Sequence, residues 1–256
     1  MSMNIHIPKP VQQAFMGLCI LGVAVLLVSA THLKKNVTPS DFKIEIEALE
    51  DGKNLLTEAE VFAQLQSSIG YHPVKLPIGE IPLSRFEEIL NSNPYIKDAK
   101  VYVDHRGVLH FKVAQRLPVL RLIESGSTHY IDSEGQWMPP SEHYTVRVPV
   151  LHGHIPKGAQ REDWKKDELS LILESLNQER EMTQWIDQVY RDQNGSYVLI
   201  PLLSKLKIDF GPWNNVGPKW EKMKRFFKEV LPKKGWNKYE RIDLRFEDQV
   251  IAKMKV

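Results

Sequence analysis

Cysteine is all but missing from this chain: its 256 residues contain one, Cys19, inside the single long apolar run. Everything beyond that run has no thiol and no internal disulfide, which fits an oxidising compartment without requiring one. Charge of one sign is missing too. The 34 Lys and Arg against 32 Asp and Glu leave a formal net charge of +2, too small to draw in a nucleic acid. No phosphate-cradling glycine loop, dinucleotide fingerprint or nucleophile elbow occurs. Internal repeats and low-complexity tracts are absent as well. No cofactor, metal, small-molecule substrate or catalytic residue is expected, and the chain does not read as an enzyme.

A second long apolar run is also lacking, which makes the first one informative. Ala14 to Ala30 is uncharged and mostly apolar. Extended to Val11–Thr31, it would rise about 31 Å as a helix, close to the hydrocarbon thickness of a bilayer. A cleaved leader competes with this reading, since Val28-Ser29-Ala30 makes a passable exit. The run is longer than an ordinary leader core of about 7–15 residues, and Lys9 is the only basic residue ahead of it. A buried core helix fits worse, because no polar face emerges at helical spacing. The length favours a retained anchor. Its orientation is left open by charge: Lys9 and the α-amine precede the run, while Lys34 and Lys35 follow it, near parity on the positive-inside count.

The remaining chain divides near Arg116-Leu117-Pro118. In its first part, Phe42, Ile44, Ile46 and Ala48 alternate with charged residues, as in a half-buried strand. Asp51-Gly52 marks a turn, and Thr57-x-x-Glu60 is a capping box. The helix it opens places Val61, Phe62, Leu65 and Ile69 on one face. A loop with Pro73, Pro77 and Pro82 precedes a second helix carrying Leu83, Phe86, Ile89 and Leu90, and Asn91–Pro94 ends it. Ala99, Val101, Val103 and then Leu109, Phe111, Val113 form two strands about a His105-Arg106-Gly107 turn. The order is β-α-α-β-β, with two helices to cover one sheet face.

The second part is larger and richer in strands. Val119–Ile123, Thr128–Asp132 and Gln136–Met138 are short strands separated by Ser125-Gly126 and Glu134-Gly135 turns. Val146, Val148 and Val150 alternate again. A helix follows with Trp164, Leu169, Ile172, Leu173 and Leu176 as its buried stripe. Asn194-Gly195 joins Ile186–Arg191 to Ser196–Ile200 as a hairpin. Leu206, Ile208 and Phe210 mark another strand, and the helix Pro218–Leu231 presents Trp220, Met223, Phe226, Phe227 and Val230. Arg241–Phe246 and Gln249–Lys255 close the chain around Glu247-Asp248.

Three clusters suggest chemistry and do not carry it. His152-Gly153-His154 lacks a third ligand at metal-binding spacing. Ser141-Glu142-His143 lists hydrolase residue types, yet sequence neighbours seldom converge as a triad. Lys219, Lys222, Lys224, Arg225, Lys228, Lys233 and Lys234 form a basic stripe opposite the apolar face of the last helix, read as a solvated surface.

The order of these elements and several local motifs resemble one known family. Ile81-Pro82-Leu83 and Asn93-Pro94-Tyr95-Ile96-Lys97-Asp98-Ala99-Lys100-Val101 resemble the helix-to-strand segment of a POTRA module. Gln115-Arg116-Leu117-Pro118-Val119-Leu120 with Tyr130-Ile131-Asp132-Ser133-Glu134-Gly135 resembles the junction of the bacterial cell-division family FtsQ, called DivIB in Gram-positive organisms. Val148-Pro149-Val150-Leu151-His152-Gly153 is similar to its "LPxLxG" segment, with Val-Pro-Val at its start. Ile242-Asp243-Leu244-Arg245-Phe246 is similar to its closing "xDLRF" strand. The chain departs in having a tail of about ten residues ahead of the span and no extension after Val256.

The resemblance implies an α+β chain: a cytoplasmic tail over 1–10, a transmembrane helix over 11–31, a POTRA module over 41–116 and a β-rich domain over 117–256. That last domain would set two or three helices on an extended mixed sheet. The implied role is a non-enzymatic scaffold of the septal division complex, single-pass in the cell inner membrane, with its N-terminus cytoplasmic and its bulk periplasmic. It would bind FtsB- and FtsL-type proteins and so help control septal peptidoglycan synthesis. The alternative is a POTRA-bearing export or outer-membrane assembly component. Because the family points to the C-terminal end, the expected partner site is Leu244, Phe246, Gln249, Val250, Ile251, Ala252, Lys253, Met254 and Lys255. Val250, Ala252 and Met254 alternate there with Ile251, Lys253 and Lys255, so one side would join the core while the other faces a visitor, and an open strand edge would offer unpaired main-chain groups for strand addition.

Overall fold

Thr57 shows how closely local chemistry sets the first elements. Its side chain accepts from the Glu60 amide, and the Glu60 carboxylate accepts from the Thr57 amide at 2.7 Å. This reciprocal cap satisfies two amides that a helix start otherwise leaves free. It opens α1 (Glu58–Ile69), which ends where Gly70 adopts φ 76°, a left-handed conformation open to glycine. The computed structural model describes residues 16, 20–23, 36–124, 126–155, 168–247 and 249–255. Most of the expected span Val11–Thr31 and the expected stripe residue Trp164 lie outside them. Met16 and residues 20–23 are helical and exposed, and no helix among the described residues is long and apolar enough to cross a membrane.

The chain separates into two compact units. One runs to Glu47 and resumes over Thr57–Ala114; the other combines Ala48–Leu56 with Gln115–Val256. The first unit holds β1 (Asp41–Glu47), α1, α2 (Leu83–Asn91), β2 (Ile96–Val103) and β3 (Val108–Gln115, whose last residue falls in the other unit), in the expected β-α-α-β-β order. The proline loop adds two short 3₁₀ turns, Pro73–Lys75 and Ile78–Glu80. The sheet order is β1-β3-β2, with β1 parallel to β3 and Ile44 opposite Phe111. Leu65, Phe86, Val101 and Phe111 are buried together with Leu90, Ile96 and Leu109. Phe62 and Ile89 sit half-buried at the rim, where the Phe62 ring stacks on Phe42 at 5.2 Å.

Among the described residues, the second unit contains nine strands in one mixed sheet, ordered β12-β11-β10-β9-β8-β7-β4-β5-β6. These are β4 (Pro118–Glu124), β5 (Ser127–Asp132), β6 (Trp137–Met138), β7 (Val150–Gly153), β8 (Ile186–Arg191), β9 (Ser196–Pro201), β10 (Lys207–Pro212), β11 (Tyr239–Asp243) and β12 (Ile251–Met254). Parallel neighbours need a long crossover, and two of the three parallel pairs have helices there. The β7–β8 crossover contains α3 (Ser170–Gln178) and α4 (Arg180–Thr183). The β10–β11 crossover contains α5 (Val216–Arg225), a π-helical stretch over Phe226–Val230 and α6 (Leu231–Lys234). Ile172, Leu173 and Leu176 of α3 share a core with Trp220 and Met223 of α5, Leu151, Val189, Leu199, Ile208 and Ile242.

Three elements differ from the sequence reading. Val146 and Val148 are half-buried, as their alternation implies, but they lie outside any strand, and β7 starts only at Val150. Pro149 has no amide to give a ladder; its carbonyl does accept from Arg121 N at 2.9 Å. The last helix runs past Leu231 because the π stretch precedes Pro232. A wider turn relieves the clash of a proline ring with the preceding carbonyls. The closing strands are shorter than expected, so Leu244, Phe246, Gln249 and Val250 lie in the connection and Lys255 just after β12.

Candidate functional site

The last connection of the second unit is built by an ammonium. Lys222 on α5 directs its Nζ at Leu244 O (2.8 Å), Phe246 O and Glu247 O (3.4 Å). Leu244 N also donates to Asp209 O at 2.9 Å, and Arg245 makes a two-pronged ion pair with Asp243. These bonds bend the chain away from β11 after Asp243. It returns as β12, antiparallel to β11, with Ile242 opposite Ala252 and Arg241 opposite Lys253.

The nine expected partner residues are therefore placed unequally. Leu244 is fully buried and supports the turn from the core, so it offers no surface to a partner. Phe246 is 44% exposed. Val250 packs partly against the core and Gln249 is exposed. All four residues of β12 are exposed, Ile251 at 47% and Met254 at 64%. The expected inward side of this strand is thus corrected: the core ends beneath β11, at Ile242 and Leu244. The ion pair of Lys253 with Glu240 is exposed, at 3.1 Å, and such pairs contribute little.

Among the described residues β12 has one strand neighbour, β11. Lys255 N donates inward to Lys238 O at 2.9 Å. Strand alternation then turns the amides and carbonyls of Ala252 and Met254 outward, giving a row of unpaired groups suited to strand addition. One edge strand of the other sheet, β2, differs. There the Glu87 carboxylate on α2 accepts the Val101 amide of β2 at 2.8 Å.

The clusters that resembled chemistry are engaged structurally. His152 Nε2 lies 3.2 Å from Gln188 Oε1, and its ring tilts against Tyr190. Ser141 Oγ donates to Leu55 O at 2.5 Å. No group of three or more His, Cys, Asp or Glu among the described residues could hold a metal ion. The basic stripe is corrected as well, since most of its members are not simply solvated. Lys219 Nζ donates to Pro212 O at 2.6 Å, and burial, reinforced by Lys222, lowers its pKa. Lys224 pairs with Glu179 and Glu221, and Lys228 with Glu181.

Sequence reasoning missed a cavity of about 260 Å³ within the second unit, lined by Leu49, Leu117, Val146, Leu176, Ile186 and Leu202 among others. The short Tyr144–Asp51 hydrogen bond at its wall lowers the Asp51 pKa and raises that of Tyr144. Both groups are moved away from neutrality, the reverse of a tuned acid–base pair.

Comparison with known protein families completes this picture. Residues 39–114 match the POTRA-like domain. Residues 117–253, more than half of the 256-residue chain, match the FtsQ/DivIB, C-terminal related family. The chain belongs to the FtsQ/DivIB family. No curated protein matches it. FtsQ/DivIB membership brings a role in cell division, and in known members both domains are non-catalytic. The closing connection and β12 lie almost wholly inside the FtsQ/DivIB match.

Proposed function

We propose that this FtsQ/DivIB member is a non-enzymatic, single-pass inner-membrane scaffold of the division complex. Residues 11–31 anchor it, its N-terminus is cytoplasmic and its bulk is periplasmic. It recruits FtsB- and FtsL-type partners, whose chain adds as a strand to the outer edge of β12, and through them it controls septal peptidoglycan synthesis. The observation that carries this reading is the edge itself. β12 lies last in a nine-stranded sheet with all four residues exposed. It presents Ile251 and Met254 beside unpaired main-chain groups, so a visiting strand would gain both ladder bonds and apolar contact.

The test compares the full chain with a version ending at Asp248, each purified in detergent, for binding to the extracytoplasmic segment of an FtsB-type partner. Circular dichroism accompanies each measurement. Loss of binding by a chain that stays folded supports docking at β12. Full affinity in the folded, shortened chain places the docking site elsewhere.

A further inference from the structure

We propose that Lys222 is a positioning residue that clasps the β11–β12 connection and so fixes the docking edge in place. The proposal rests on the reading of β12 as the partner site. An ammonium has three hydrogens to give and accepts nothing. Here all three find backbone carbonyls of one short turn, those of Leu244, Phe246 and Glu247. Bonds from a charged donor are stronger than neutral ones, and three carbonyls turned toward one point repel one another unless a cation sits among them.

The clasp matters because little else holds the strand. None of the β12 side chains is buried. Val250 is only partly packed against the core, and the Lys253–Glu240 pair is solvated. What remains is the β11 ladder, anchored at one end by Leu244 and the turn. A segment with few buried contacts opens locally at low cost, and an opened β12 cannot template a visiting strand. Lys222 sits on α5 between Trp220 and Met223, both embedded in the core. The clasp therefore ties the edge strand to a helix embedded in the core of its unit. Its neighbours Lys219 and Lys224 are spent on other partners, so neither can substitute for it.

The experiment is hydrogen exchange by mass spectrometry on the full chain in detergent, together with affinity for the FtsB-type segment. Lys222→Met is compared with Lys224→Met, which removes the same charge from the same helix without touching the turn. Lys222→Met is expected to speed exchange in residues 244–255 by about tenfold, leave residues 186–201 unchanged and weaken partner affinity by about tenfold. Lys224→Met is expected to change neither. Unchanged exchange in 244–255 overturns the clasp, whatever the affinity does. Faster exchange with unaltered affinity overturns the role of Lys222 in docking, while the β12 reading itself stands or falls with the chain ending at Asp248. Should Lys222→Met unfold the whole unit, Lys222→Gln decides. A rise confined to 244–255 supports the clasp, and a uniform rise overturns it.

Discussion

Phe111 is the residue on which the first unit converges. It is 1% exposed, stacks near Phe86 at 6.2 Å and meets Phe42 edge-on at 6.5 Å. Truncation to alanine would leave a cavity that two aromatic neighbours and a β-sheet cannot fill. Phe111→Ala is expected to cost about 3–5 kcal/mol, read from the urea-induced unfolding of this unit. Asp104 sets a second expectation. The Val108 amide, then His110 and the Arg106 amide, hold its carboxyl down from 3.8 to about 2. A carboxylate depressed in the folded state stabilises it above the unfolded value, and that contribution disappears as pH falls through the folded one. Thermal unfolding should therefore drop more steeply between pH 3.8 and about 2 in the native chain than in Asp104→Asn.

At the level of elements, the readable features were those with local causes. The capping box, the hairpin at Asn194-Gly195 and the β-α-α-β-β order each depend on residues a few positions apart, and each formed as expected. Features that depend on distant partners were not readable. Nothing in Lys222 announces that its ammonium will meet the carbonyls of Leu244–Glu247, and without that bond Arg241–Phe246 reads as a longer strand. The alternation in Val250–Lys255 likewise implies a buried side, because periodicity cannot tell where a helical cover stops. The edge position of β12 was legible, its full exposure was not. The outward amides also refine how the edge should be probed. Proline at Ala252 removes a donor facing away from β11, whereas proline at Ile251 would remove one facing it. Ala252→Pro is expected to keep the circular dichroism spectrum and to weaken FtsB-type binding by about tenfold. Calorimetric titration against the same partner segment checks it.

For the whole molecule, the decisive expectation is topological. The uncharged run Ala14–Ala30 is long enough to anchor a body that we place outside the inner membrane. A reporter active only after export, fused behind Val256, should be active and should sediment with the membrane fraction. Activity in the soluble fraction, or a mature N-terminus at Thr31, would replace the anchor with a cleaved leader. The family was legible because its signs are spread along the chain, from Ile81-Pro82 to Ile242–Phe246, and no single one had to carry it.

The segment Ala48–Leu56 has a consequence for how such chains are inherited. It lies in sequence between β1 and α1, yet it groups with residues 115–256. There Leu55 N donates to Gln115 Oε1 at 2.6 Å, and Arg180 pairs with Glu50 at 3.0 Å. A recombination event at the sequence boundary near residue 116 would hand the β-rich domain a foreign strap. Ser141, Tyr144 and Arg180 would then face the wrong neighbours. Modules that look separable in a gene are interleaved in the folded chain. Exchange between relatives is expected to succeed only where the strap travels with its sheet.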